Sequence, residues 1–242
     1  FYKNKAYICS FDGTVAQIDT TTLNIEKYIT VGRNPDGICT ANGKVYVSNS
    51  GGLNQNNPDN TVSVINTETF TEIKRIEVGE NPGTIHADVM GNIYIVSRGR
   101  YDESSGDYDC HLHRIDSETD EVITTYHLPV LSFTISGYKA YMYSYNSKQE
   151  SIQVMDTRTG QIIDDNFVKD KTEFTHIYEI AVNPINEDVY ICDAQNYTVN
   201  GSVVCFDKNG HYKFTIDAKG INPNSIVFTD APYQELPDDP NN

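Results

Sequence analysis

Long apolar runs, cations and catalytic motifs are what this chain has little of. No hydrophobic run approaches the roughly 18 residues that a membrane-spanning helix needs. Only 18 of its 242 residues are Lys or Arg, against 34 Asp or Glu, and the net charge of −16 is spread along the chain rather than gathered in a tail. Such a surface repels phosphate backbones and anionic head groups, which argues against nucleic acid and against simple electrostatic binding to membranes as partners. Five cysteines (Cys9, Cys39, Cys110, Cys192, Cys205) show no CxxC spacing, and an odd count speaks against a disulfide framework. They read as small buried hydrophobes. There is no G-x-S-x-G elbow, P-loop or Rossmann glycine pattern. No signal-peptide pattern stands at Phe1, which leaves the location open wherever a leader or lipid-bearing segment is removed.

What is present is a repeat. Pro35, Pro82 and Pro129 are spaced by 47 residues, and Pro223 follows at twice that interval. Residues 14–38 align with 61–85 without a gap, 12 of the 25 positions being identical. A period of this size, filled with short alternating segments and Gly/Asn/Pro turns, predicts an all-β chain: a β-propeller of four-stranded antiparallel blades. The length is enough for one large all-β domain with a substantial core.

The second unit shows the pattern. Lys44-Val45-Tyr46-Val47-Ser48 reads as a strand, a polar loop follows over 49–60, and Thr61-Val62-Ser63-Val64-Ile65 is the next strand. A tight turn at Asn66-Thr67-Glu68-Thr69 leads into a third strand over 73–78. Gly79-Glu80-Asn81-Pro82 then turns the chain into a fourth near 84–87. Proline, lacking an N–H, suits a turn or strand start. The tyrosine strand recurs at Tyr7, Tyr46, Tyr94, Tyr141 and Tyr190, and the strand-to-turn acid or amide at Asp19, Asn66, Asp116, Asp156 and Asp207. The side chain at the second position is expected to cap the turn by accepting backbone N–H groups just ahead.

Five units are therefore countable, at about 1–42, 43–89, 90–136, 137–185 and 186–229, followed by a polar tail over 230–242. The chain opens on a second strand and ends, at Asn222-Pro223-Asn224-Ser225-Ile226-Val227-Phe228, on what reads as a first strand. The last strand is expected to complete the first blade and close the ring, removing exposed edges.

Tyr46-Val47-Ser48-Asn49, Val62-Ser63-Val64-Ile65-Asn66-Thr67 and Val78-Gly79-Glu80-Asn81-Pro82 resemble the YVTN-type (YncE-like) β-propeller repeat. The resemblance covers units one and two well, three and five partly, and four weakly. It implies an extracytoplasmic protein, periplasmic, secreted or lipid-anchored at the cell surface, and commonly seven blades. About two N-terminal units of ~45 residues each would be missing if seven is right here. It also implies a role such as cell-surface capture of cobalamin for an outer-membrane transporter, or a surface-layer component.

In such a fold the loops joining second to third strands, and those joining blades, gather on one face. The candidate rim comprises 49–60, 98–109, 145–150 and 193–201, with the turns 33–36, 80–83, 172–178 and 221–224. Arg98-Gly99-Arg100-Tyr101 places two of the few cations beside an aromatic, a clamp for a polar, anionic or amide-bearing ligand. The alternative is a solvated loop whose arginines pair with Asp102, Glu103 or Asp107. Tyr141, Tyr143 and Tyr145 share one strand face, with Tyr145 and Asn146 reaching the rim: an aromatic platform, or a filling of inter-blade space. His176 stands 47 after Pro129, where the unit should carry its proline, and Tyr178 and Tyr197 lie in the neighbouring rim segments.

His111 and His113 share a strand face but lack a third ligand by spacing, and Asp102, Glu103, Asp107 and Asp109 match no calcium loop. No metal, cofactor or catalytic residue is assigned. The expectation is a non-catalytic, extracytoplasmic binding protein, its ligand a cobalamin-like nutrient. The alternatives are a protein-interaction platform or surface-layer component, and third a propeller hydrolase or lyase.

Overall fold

The structure, a computed structural model, describes residues 1–54, 56–102, 104, 107–144 and 151–229. Among the described residues it contains only strands, in five consecutive antiparallel sheets and one two-stranded ribbon. Sheet 1 is β1 (Lys5–Ser10), β2 (Thr14–Asp19) and β3 (Ile25–Thr30). Sheet 2 is β4 (Pro35–Ala41), β5 (Lys44–Asn49), β6 (Thr61–Asn66) and β7 (Thr71–Glu77). Sheet 3 begins with β8 (Pro82–Ala87) and β9 (Ile93–Ser97). A small ribbon of β10 (Tyr101–Asp102) and β11 (Asp107–Tyr108) precedes its remaining strands β12 (His111–Asp116) and β13 (Glu121–Tyr126). Sheet 4 is β14 (Ser132–Ser136), β15 (Lys139–Ser144), β16 (Ser151–Asp156) and β17 (Gln161–Asp164). Sheet 5 is β18 (Ile177–Val182), β19 (Val189–Asp193), β20 (Ser202–Phe206) and β21 (Tyr212–Asp217). Each sheet is a simple meander, and the arrangement is propeller-like.

The same local devices build every sheet. Asp19, Asn66, Asp116, Asp156 and Asp207 each accept the backbone N–H two residues ahead, four of them a second one further on, at 2.7–3.3 Å. The turn then leaves through a left-handed residue: Leu23, Phe70, Asp120, Gly160 or Gly210. A register shift follows at the equivalent place in all five sheets, between Gln17/Ile18, Val64/Ile65, Arg114/Ile115, Val154/Met155 and Cys205/Phe206. One extra residue there bends the outer strand and increases its twist. The turns into β4 and β8 are alike too: Asn34 and Asn81 both take left-handed φ, 47° and 54°, ahead of Pro35 and Pro82.

Packing is between neighbours. In β5, Val45 and Val47 face sheet 1, where they meet Tyr7, Val15 and Val31, while Tyr46 faces sheet 3 with Val62 and Val64 against Ile85, Ile93 and Ile95. Tyr94, Val96 and Leu112 meet Phe133, Ala140 and Met142 across the next wall, and Tyr141, Tyr143 and Ile152 meet Ile177, Ile180 and Ile191 across the last. Each central strand is thus apolar on both faces. A sheet of three or four strands is held by burying those faces against its neighbours.

The two ends differ from the middle. β7 and β13 alternate exposed with half-buried or buried residues, whereas nearly all of β3 and all of β21 are exposed. Ile8, Ala16 and Tyr28 stand in register on the outer face of sheet 1, with Ile8 54% and Tyr28 65% exposed. Among the described residues no core cluster joins sheet 5 to sheet 1.

The expected closure by residues 222–228 is not formed: sheet 1 keeps three strands, and that segment carries no strand. It lies instead on the far face of sheet 5, Pro223 against the bare Cα of Gly201 and Phe228 edge-on to Tyr190 at 5.2 Å. Asn222 takes the left-handed φ of 53° seen at Asn34 and Asn81, so the turn that precedes β4 and β8 is made here too, although no strand follows it among the described residues. The tail over 230–242 lies outside the described residues.

With its outer face uncovered, sheet 1 should tolerate Tyr28→Glu with a loss of less than about 1 kcal/mol in urea unfolding. A loss above about 3 kcal/mol would mean that the face is buried in solution.

Candidate functional site: the loop-rich face

Because every sheet is a meander, the loops between second and third strands and the linkers between sheets fall at the same end of the strands. Backbone bonds knit them together: Ser50 N–H to Asn34 O, Asn81 N–H to Asp59 O, Arg98 N–H to Asn81 O and Gly99 N–H to Glu80 O, at 2.8–3.2 Å. A cleft of about 690 Å³ opens between the loops of sheets 1 to 3, edged by Phe11, Asp36, Ser50, Asn56, Asn81, Arg98, Arg100 and Tyr108.

Arg98 and Arg100 both line this cleft, and each pairs with an acid outside its own loop. Arg98 Nη1 donates to Asp36 Oδ2 at 2.8 Å, across 62 residues of sequence. Its guanidinium fills the place a Cβ on Gly83 would take, 2.5 Å from that position, so the bare glycine makes the room. Arg100 grips Glu80 with two bonds of 2.6 Å, which holds the Glu80 carboxyl below its usual range. Tyr101 is placed by its backbone, paired with Tyr108 in the ribbon.

Beneath these pairs lies a buried imidazole. His113 Nε2 is 2.7 Å from Ser97 Oγ and receives the Gly79 N–H at 3.3 Å, while Nδ1 is 2.9 Å from Thr125 Oγ1. An amide N–H can only donate, so Nε2 is the acceptor and Nδ1 carries the proton. Burial, then the neighbouring His111 and His127, push the His113 pKa down to about 4. Ser97 immediately precedes Arg98 and Gly79 immediately precedes Glu80, so one neutral imidazole anchors both flanks of the cleft. With both its nitrogens engaged, His113 does not serve the metal pair with His111, and no group of three metal-ligating side chains occurs among the described residues. Glu103 lies outside the described residues, and Asp102 and Asp107 are placed only by their backbone pairing.

A second cluster sits on the same face two sheets along. His176 and Tyr197 have ring centroids 5.0 Å apart, and Tyr178 meets Tyr197 at 6.1 Å and 72°. His176 Nδ1 lies 2.6 Å from Gln195 O, a carbonyl that can only accept. Tyr143 lies below them, buried in the wall between sheets 4 and 5 with its hydroxyl donating to Tyr178 O at 2.8 Å. Tyr141 is likewise buried in that wall, so this strand face packs against sheet 5 as far as it is described. Tyr145 and Asn146 lie outside the described residues. Asp36 and Glu80 were not legible as arginine partners, although both stand in rim turns that the repeat marks out.

No family model matches the chain, and no curated protein matches its sequence. Solved structures do share its fold. A chain of the hydrazine synthase of Kuenenia stuttgartiensis superposes with a TM-score of 0.68 at 17% identity, over 84% of this chain and 60% of that one. A functionally unknown protein from Desulfotomaculum acetoxidans DSM 771 superposes with a TM-score of 0.70 at 13% identity, over 94% of this chain and 70% of that one. This chain therefore spans about 60–70% of the length of these structures.

His113 is neutral when folded, with a pKa of about 4, and so is His86, which burial also holds near 4. Free histidine titrates near 6.5. Above that value both states are neutral and nothing is lost. As pH falls from 6.5 towards 4 the unfolded chain takes up protons that the fold refuses, so stability drops, by on the order of 2–3 kcal/mol per histidine. Urea midpoints between pH 7 and 4 should show this slope, and His113→Gln should flatten it.

Proposed function

We propose that this chain is a non-catalytic binding protein that captures a ligand in the cleft of its loop-rich face. The observation that carries the reading is the charge balance of that cleft. Both guanidiniums are already matched by carboxylates, so the site offers donors and acceptors side by side with little net charge. Ser50, Asn56 and Asn81 add hydroxyl and amide groups, and Phe11 and Tyr108 add rings. Such a lining suits an uncharged ligand rich in amides or hydroxyls better than an anion, which would have to displace the acids. The volume is in the range that takes one small-molecule ligand. Glu80, kept ionised by Arg100, is poorly suited to general acid–base work, which weighs against an enzyme.

A cobalamin-like nutrient captured outside the cytoplasm, with an outer-membrane transporter as partner, is the sharpest form of this reading. It draws on the YVTN-type resemblance and on the amide-accepting cleft. A protein partner is the second reading, favoured by Leu53, 78% exposed in the loop beside the cleft.

The five sheets are, in the same reading, consecutive blades of a β-propeller with more than five members. Support comes from the uncovered faces of sheets 1 and 5, the missing inner strand of sheet 1, and the 30–40% of each solved relative that this chain leaves unmatched. About two further blades of ~45 residues each would restore seven. In a protein containing them, Tyr28→Glu would become costly.

Isothermal titration with cobalamin and with its precursor cobinamide tests the ligand. Saturable heat, weakened about tenfold or more by Arg100→Ala or Tyr108→Ala, is the expected result. No heat at high protein concentration overturns nutrient capture of this kind and directs the search to protein partners.

A further inference from the structure

Sheet 3 brings together two imidazoles that lie 16 residues apart in the chain. β13 is paired with β12 as far as Tyr126 opposite Leu112, so the next residue, His127, stands across from His111. Side chains directly opposed on an antiparallel pair share one face and lie within reach of each other. The two rings are 4.7 Å apart, centroid to centroid, at 78°. Imidazoles that share one metal ion, each through one nitrogen at about 2.0–2.1 Å and at roughly 90–110° to one another, hold their centroids roughly 4.5–5.2 Å apart. The pair is already at chelating distance.

The nitrogens are in the right state too. His111 Nδ1 lies 3.1 Å from Asp109 O. A carbonyl only accepts, so Nδ1 carries the proton and Nε2 keeps a lone pair. A carbonyl on the far nitrogen is also the outer contact that ligating histidines commonly have, because it fixes tautomer and ring direction. His127 is exposed, and its ring makes no hydrogen bond among the described residues, so it can turn a nitrogen to the same point. His113, the third ring on this face, has both nitrogens engaged by Ser97, Gly79 and Thr125. The Asp109 carboxylate stands 3.9 Å from His111 Nδ1, on the protonated side of the ring. Two imidazoles therefore form the protein's share of the coordination, and water supplies the rest.

We propose that His111 and His127 form an open two-histidine site for a divalent transition metal, Cu2+ in preference to Zn2+ or Ni2+. Imidazole suits all three ions, and where no cage of ligands imposes a geometry their intrinsic order of affinity decides. Magnesium and calcium, which require oxygen ligands, are not taken. A bound ion ties the outer strand β13 to β12. The site is independent of the cleft at Arg98 and Arg100 and of the ligand proposed for it.

The test is a titration of the untagged protein with Cu2+ at about pH 7.5, where free histidine is neutral, read by calorimetry and electron paramagnetic resonance. The expected result is one saturable equivalent with nitrogen ligation. His127→Ala alters only an exposed side chain, so it keeps the fold, and it should weaken binding at least about tenfold. Cu2+ should raise the urea midpoint of wild type and not of His127→Ala, since only the folded strands hold the two rings together. His211→Gln, at an exposed histidine in sheet 5, should bind as wild type does. No saturable Cu2+ binding by wild type would overturn the proposal. So would His127→Ala binding Cu2+ as tightly as wild type.

Discussion

In sheets 2 and 3 the tyrosine of the second strand ties its sheet to the next, and the middle of the structure hangs on this contact. Tyr46 crosses from sheet 2 to the turn of sheet 3, donating to Asp120 at 2.5 Å, and Lys44 binds the same carboxylate at 2.7 Å. Tyr94 repeats the reach from sheet 3 to the Thr157 carbonyl of sheet 4 at 2.8 Å. Tyr7 stacks on Phe70 of sheet 2, at 6.2 Å. The rings of Tyr46 and Tyr94 bury a large apolar area in the wall and end in a hydroxyl that the neighbouring sheet satisfies. Burial drives the Tyr46 and Tyr94 hydroxyls well above their usual pKa, so at neutral pH they remain donors.

This makes the molecule a one-dimensional array in which position along the row sets local stability. Interior sheets are clamped from both sides. The end sheets are clamped from one, which is why β3 and β21 stay exposed. The loop-rich face inherits its rigidity from the walls below it. The cleft at Arg98 and Arg100 spans sheets 1 to 3, where two walls meet beneath it and His113 fastens Ser97 and Gly79. The aromatic cluster at Tyr197 stands over the wall between sheets 4 and 5, with Tyr143 as its buried footing. Variation is confined to loops whose anchors repeat.

Much of this was legible from residues alone. The 47-residue period, the tyrosine strands and the Asp or Asn at each turn follow from local chemistry, and local chemistry is written in order along the chain. The capping bonds at Asp19, Asn66, Asp116, Asp156 and Asp207 are all formed as expected. What was not legible depends on contacts distant in sequence. Arg98 finds Asp36 and Arg100 finds Glu80, partners 62 and 20 residues away in sequence. Alternation in β15 could not tell a platform from a wall, because a strand between two sheets buries both faces. The terminal segment 222–228 carries the turn of an inner strand, yet sequence does not tell which edge it would pair with.

The most direct test of the tyrosine tie is a double-mutant cycle between Tyr46→Phe and Asp120→Asn, read by urea unfolding. The account predicts a coupling of about 1–3 kcal/mol, with each single variant destabilised and the double variant little worse than either. Additive effects within about 0.3–0.5 kcal/mol would contradict it, and would leave apolar packing alone as what holds one sheet to the next.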